Sequence, residues 1–224
     1  MIEFHFSGPP SSPPTTFQKL SAAVRKGDIH EVQRLCDIEG VEPRHVFDEG
    51  ETLLFPAATS QRLEVCAWLI EQGVSVGFRN SIGRTALLTA IHGRDGGWKH
   101  KLIALLKPSV NIADNDGLTP LMRAARGAGL FGSNRGNLEI LKRLIEGGAD
   151  VFAQDNRGLT ALGHANIDAR SSPSGVNDDV VAFLEQAMVQ AAIRCHRLLA
   201  TSGSVLAVTK RDNSRNRPVL SCSR

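Results

Sequence analysis

The chain has 224 residues, 42% of them hydrophobic and 22% charged, with a formal net charge of +3 at neutral pH. That balance fits a soluble globular chain, and no apolar run approaches the ~20 residues of a membrane-spanning helix, which excludes a membrane protein. The charge is uneven: Lys210, Arg211, Arg215, Arg217 and Arg224 against Asp212 give residues 201–224 a surplus of +4 and leave −1 for the rest.

Residues 1–16 are rich in proline and serine and lack a basic segment followed by an apolar core, so they read as a disordered tail and not as a secretion signal. The four cysteines, Cys36, Cys66, Cys195 and Cys222, have no CxxC spacing, and three fall inside apolar helical patterns. Reduced, buried thiols are the expectation, which favours the cytoplasm or nucleus. Cys222 is one position too late for a C-terminal prenylation signal.

From Leu20 onward the chain repeats itself. A degenerate copy, Leu20-Ser-Ala-Ala-Val-Arg-Lys-Gly-Asp28, precedes four that align: Gly50-Glu-Thr-Leu-Leu-Phe-Pro-Ala-Ala58, Gly83-Arg-Thr-Ala-Leu-Leu-Thr-Ala-Ile91, Gly117-Leu-Thr-Pro-Leu-Met-Arg-Ala-Ala125 and Gly158-Leu-Thr-Ala-Leu-Gly-His-Ala-Asn166. Their glycines lie 33, 34 and 41 residues apart. Thr52, Thr85, Thr119 and Thr160 stand where an N-cap hydroxyl satisfies orphaned helix N–H groups, and Pro120 stands where a first-turn proline is tolerated. Ala57, Ala90, Ala124 and Ala165 keep the first helix thin, while Leu54, Leu87, Leu121 and Leu162 fill a shared core. On the second helices Leu35, Leu69, Leu105, Leu144 and Leu184 recur, each with an apolar residue three before it: Val32, Cys66, Leu102, Leu141 and Val181.

Period and core pattern resemble the G-x-T-P-L-H-x-A of the ankyrin repeat. Leu63-Glu-Val-Cys-Ala-Trp-Leu-Ile-Glu-Gln-Gly73 and Leu138-Glu-Ile-Leu-Lys-Arg-Leu-Ile-Glu-Gly-Gly-Ala-Asp-Val151 are similar to the family's second helix and its exit. The resemblance implies an all-α ankyrin-type solenoid, each repeat a β-turn plus an antiparallel helix pair, with disordered termini. Its repeats would span about 17–49, 50–82, 83–116, 117–157 and 158–200, followed by a basic flexible tail over 201–224. The family's histidine is replaced by Phe55, Leu88, Met122 and Gly163, so packing must substitute for its hydrogen bonds. His164 falls one place later, at a position expected to face the concave surface, and the family role is not carried over to it.

Chemical motifs fail their context. Gly127-Ala-Gly129-Leu-Phe-Gly132 matches the dinucleotide-binding GxGxxG but lies between two expected helices, where that chemistry needs a preceding strand. His30-Glu-Val-Gln-Arg34 carries Arg34 where a second zinc ligand would stand, and Cys195-His196 point about 100° apart on a helix. No catalytic, cofactor-binding or metal-binding residue is assigned.

From first-helix to second-helix leucine the repeats use 15, 18, 23 and 22 residues, so the inter-helix turns lengthen along one edge. The long turns at 92–100 and 126–136 carry Trp98, Leu130 and Phe131 among glycines. These groups are expected either to meet a partner or to fold back on the helix ends. The last helix, 178–200, has Val181, Leu184, Met188, Ala192, Cys195 and Leu199 on one face, which suits a cap; the rival role is a helix offered to a partner or a second copy.

The expected function is a non-catalytic protein-interaction module, an adaptor or regulatory scaffold whose array is monomeric and whose partner is a protein. By analogy with the family, Arg84, Leu118 and Leu159 near the turns and Thr89, Arg123 and His164 on the first helices face the partner. Two alternatives stay open: a nucleic-acid-associated regulator using the basic tail, and an enzyme with a site in the inserted loops.

Overall fold

The computed structural model describes residues 15–47, 50–91, 99–126, 134–171 and 178–201. Among them every regular element is a helix, and the chain divides after Ser75 into two compact units.

In the first unit α1 (Thr16–Lys26) opens on a capping box, with Thr15 and Gln18 satisfying each other's backbone N–H, and ends at Gly27. Helix α2 (Ile29–Glu39) starts on the Asp28 side chain and returns antiparallel. Glu39 accepts from Lys19 Nζ at 2.7 Å and Thr16 Oγ1 at 3.0 Å, which ties the end of α2 to the start of α1. A second hairpin follows, α3 (Leu54–Thr59) and α4 (Leu63–Glu71). Residues Leu54 to Ala58 are all buried, so this short first helix is core on every side. Arg62 Nε donates to the Arg25 carbonyl at 2.7 Å and links the two hairpins.

The second unit holds three more hairpins: α5 (Ala86–Ala90) with α6 (Lys99–Leu105), α7 (Pro120–Arg126) with α8 (Asn134–Glu146), and α9 (Ala161–Ser171) with α10 (Asp178–Thr201). First helices stack on first helices, α5 on α7 and α7 on α9, and second helices on second helices, α6 on α8 and α8 on α10. That stacking buries Leu87, Leu121, Leu102, Leu141 and Leu144 to 1% exposure or less. The exits of two second helices are also joined: Asn111 Nδ2 donates to the Gly148 carbonyl and its Oδ1 accepts from Asp150 N, both at 2.9 Å.

Caps and core follow the repeat, with four corrections. Thr85, Thr119 and Thr160 accept from Leu88, Met122 and Gly163 as expected. Thr52 does not, because α3 begins only at Leu54 and leaves the Thr52 hydroxyl buried without a hydrogen-bond partner among the described residues. Leu162 is half-buried, unlike Leu54, Leu87 and Leu121.

On the second helices the core spacing is i, i+4 in places where i, i+3 was expected. Cys36 and Leu106 are buried while Leu35 and Leu105 are half-buried, giving Val32/Cys36 and Leu102/Leu106 as the inward pairs. On α10 the buried face is Val180, Leu184 and Ala187; Val181, Met188 and Cys195 are half-buried and Ala192 is exposed. Beyond Ala187 the face opens, with Val189 58% and Ile193 54% exposed. Cys36 and Cys66 are free, buried thiols as expected, and burial pushes the Cys66 thiol up to about 12.

Candidate functional site

Ahead of each repeated glycine the chain makes a tight turn closed by a backbone bond, Gly83 to Asn80, Gly117 to Asp114 and Gly158 to Asp155, at 2.8, 3.0 and 2.8 Å. The first residue of each turn then acts twice through one side-chain oxygen. Asn80 Oδ1 accepts from Ile82 and Arg84, Asp114 Oδ1 from Asp116 and Leu118, and Asp155 Oδ1 from Arg157 and Leu159. A D/N-x-x-G signal therefore leads into Gly83, Gly117 and Gly158, though not Gly50, and it identifies structural residues that the alignment of the glycines alone passes over.

Neighbouring turns are hydrogen-bonded tip to tip. Asn156 N donates to the Asp116 carbonyl at 3.1 Å and Asn156 Nδ2 to the Asn115 carbonyl at 2.9 Å. Asn115 Nδ2 reaches the Ser81 carbonyl at 3.3 Å, and Asn115 Oδ1 accepts from Arg79 at 3.0 Å. In the first unit the matching turn starts at Phe47, whose side chain accepts nothing. There Phe47 packs on Phe17 at 4.8 Å and His45 at 5.0 Å between ring centroids.

This frame fixes where the expected partner-facing residues stand. Arg84, Thr89, Arg123 and Leu159 are half-exposed beside the turns and on the first helices. Leu118 is not available: at 6% exposure it belongs to the core. His164 is likewise withdrawn, at 2% exposure, because its Nε2 meets Asp155 Oδ2 at 3.0 Å. Trp98, Leu130 and Phe131 lie outside the described residues, as does the GxGxxG over 127–132. That glycine segment is nevertheless preceded by helix α7 and followed by helix α8.

Charge at this face is dominated by arginine. Asp114 Oδ2 faces Arg84 Nε at 3.6 Å, too long for a hydrogen bond. Arg123 has its pKa lowered, first by burial and then by the charge of Arg84, with Asp114 opposing and Arg126 adding. Arg84 Nε and Arg123 Nε are both buried, and among the described residues neither has a hydrogen-bond partner. His164 is held below its ordinary pKa by burial, against the pull of Asp155, with Arg157 and Arg126 adding to the depression. For Asp155, burial works upward, but the Leu159 and Arg157 N–H groups and His164 hold its carboxyl below the usual range.

Sequence reasoning also passed over Lys99. It is 1% exposed, with Nζ donating to the Ile91 carbonyl at 2.9 Å. Among the described residues no group of three or more His, Cys, Asp or Glu could hold a metal ion, and no helix is long and apolar enough to cross a membrane.

Comparison with known proteins places these features. Residues 20–97 match the family model described as ankyrin repeats (3 copies), and residues 116–156 match that for the ankyrin repeat. Over 65% of its length the chain is 29% identical to Palmitoyltransferase AKR1 of Lachancea kluyveri, covering 19% of that protein. It is 34% identical to Neurogenic locus notch homolog protein 1 of Homo sapiens over 54% of the chain and 4% of that protein. With the ANK repeat-containing protein nipk-1 of Caenorhabditis elegans the identity is 30% over 52% of the chain and 20% of that protein. The chain thus spans a fifth or less of these relatives.

Proposed function

The chain belongs to the ankyrin-repeat family, and from that premise we propose that it is a non-catalytic adaptor or regulatory subunit that binds a protein partner through the turns and first helices of its second unit. Ankyrin repeats are protein-interaction modules; the finer reading concerns which surface is used. One observation carries it: along α5 and α7 the leucines and alanines are buried while Thr89 and Arg123, with Arg84 beside them, stay half-exposed at positions where the repeats differ. Function in a stacked array resides where repeats diverge, because the shared positions are consumed by packing. Its free, buried thiols suit the cytoplasm or nucleus.

The test is partner capture from the source cell by the full chain, repeated with Thr89→Arg and Arg123→Glu together, and separately with Lys142→Glu on the exposed side of α8. The first should abolish capture with an unchanged melting curve, and the second should leave it intact. Equal loss from both, or loss from Lys142→Glu alone, would move the binding surface to the second helices.

A further inference from the structure

The last helix continues after its packing has ended. Helix α10 is 24 residues long against 13 for α8, yet its buried residues stop at Ala187 and none from Met188 to Arg197 is buried. Turned away from Val180, Leu184 and Ala187 lies a second stripe, Ala182, Glu185, Val189, Ala192 and His196, every member exposed. Its steps are 3, 4, 3 and 4 residues, the spacing by which one helix meets another along a seam. Ile193, more than half exposed, flanks that seam. The outward residues of α8 are instead Lys142, Arg143 and Glu146, as a face left to water requires.

Charge selects what fits the seam. The acids of α10, Asp178, Asp179 and Glu185, precede all of its basic residues, Arg194, His196 and Arg197, so the stripe complements a copy of itself only when that copy runs the other way. We propose that α10 pairs antiparallel with α10 of a second copy of this chain, about a two-fold axis between Val189 and Ala192. Val189 of each copy then meets Ala192 of the other, and Glu185 of each accepts from the ring N–H of the other's His196. A parallel pair would set Glu185 against Glu185. The pairing does not depend on which face meets the protein partner, and it presents that face twice.

The test is sedimentation velocity of the full chain from micromolar to millimolar concentration, where the native chain should show a monomer–dimer equilibrium. Val189→Asp, with its melting curve unchanged, should sediment as a monomer, because it sets a carboxylate against the apolar centre of the seam. Glu185→Lys and His196→Glu should each weaken dimerisation about tenfold or more, since a two-fold pair carries every substitution twice. Mixed in equal amounts, those two variants should recover the native association: the new lysine then faces the new glutamate, and the native Glu185 faces the native His196 across the axis. A native chain that stays monomeric throughout would overturn the proposal and leave the stripe to another protein or to residues 202–224. A dimer that survives Val189→Asp would overturn it by placing the contact elsewhere, and a mixture no tighter than its components would overturn the antiparallel register.

Discussion

His164 Nε2 lies 3.0 Å from Asp155 Oδ2, with side chains 2% and 1% exposed, so the first helix of the last hairpin is bonded to the turn that introduces it. Burial, working against the pull of Asp155, holds the imidazole's pKa below the ordinary 6.5 and so favours its neutral form in the fold. A group whose folded pKa is depressed contributes stability that is complete above its unfolded pKa and lost as pH falls through the folded value.

The first prediction follows from that sign. The His164 contribution to stability should be complete above pH 6.5 and decline below it as the unfolded chain takes up the proton that folded His164 refuses. The depressed Asp155 carboxyl acts in a separate window, below its ordinary 3.8. Urea midpoints at pH 7.5 and 5.5 check this: His164→Gln, which can still bond Asp155, should lose less across that interval than the native chain. An unchanged pH slope would mean His164 protonates freely in the fold.

The second tests the i, i+4 core of the third hairpin. Leu106, at 0% exposure, should cost about 2–5 kcal/mol when replaced by alanine, from lost burial plus a cavity. Leu105→Ala, on a half-buried neighbour, should cost only about 1 kcal/mol. Denaturant titrations giving the reverse order would restore the i, i+3 spacing. Leu144→Ala, equally sealed, belongs with Leu106.

The third separates strain from contact in the turn ladder. Gly117 (φ +80°) and Gly158 (φ +77°) share a left-handed backbone, so alanine costs each about 1–2 kcal/mol. At Gly117 a Cβ would also stand 2.8 Å from Asn156 N, whereas at Gly158 it meets nothing within 4 Å. Gly117→Ala should therefore be clearly the more damaging by thermal melt. Equal effects would mean the tip-to-tip ladder gives way at no cost.

The fourth concerns Gln61, the one non-glycine residue with positive φ among those described, at 64° between α3 and α4. The corresponding place after α1 is held by Gly27. Relief of left-handed strain should outweigh the added freedom of the unfolded chain, so Gln61→Gly should stabilise by up to about 1 kcal/mol. A destabilised variant would show that the Gln61 side chain contributes more than its strain costs.

The sequence by itself determined the helical hairpins, because their signals are local. Thr85, Thr119 and Thr160 cap their own helices, Ala57 and Ala90 recur at fixed offsets, and a run of aligned glycines sets the period. The protein-interaction class was legible for the same reason. Tertiary structure decided which face of each element points inward. A shift from i+3 to i+4, on α2 and just past the end of α6, turns a side chain by only one residue's rotation, about 100°; burial in the fold selects Cys36 and Leu106 over Leu35 and Leu105. His164 and Arg123 hold equivalent positions, yet one is sealed and the other half-open. The difference lies in the Asp155 carboxylate, which closes on an imidazole at 3.0 Å, where Asp114 holds Arg84 no nearer than 3.6 Å. Burial of a polar group depends on a partner brought to it across the fold, and no periodicity in the chain encodes that distance.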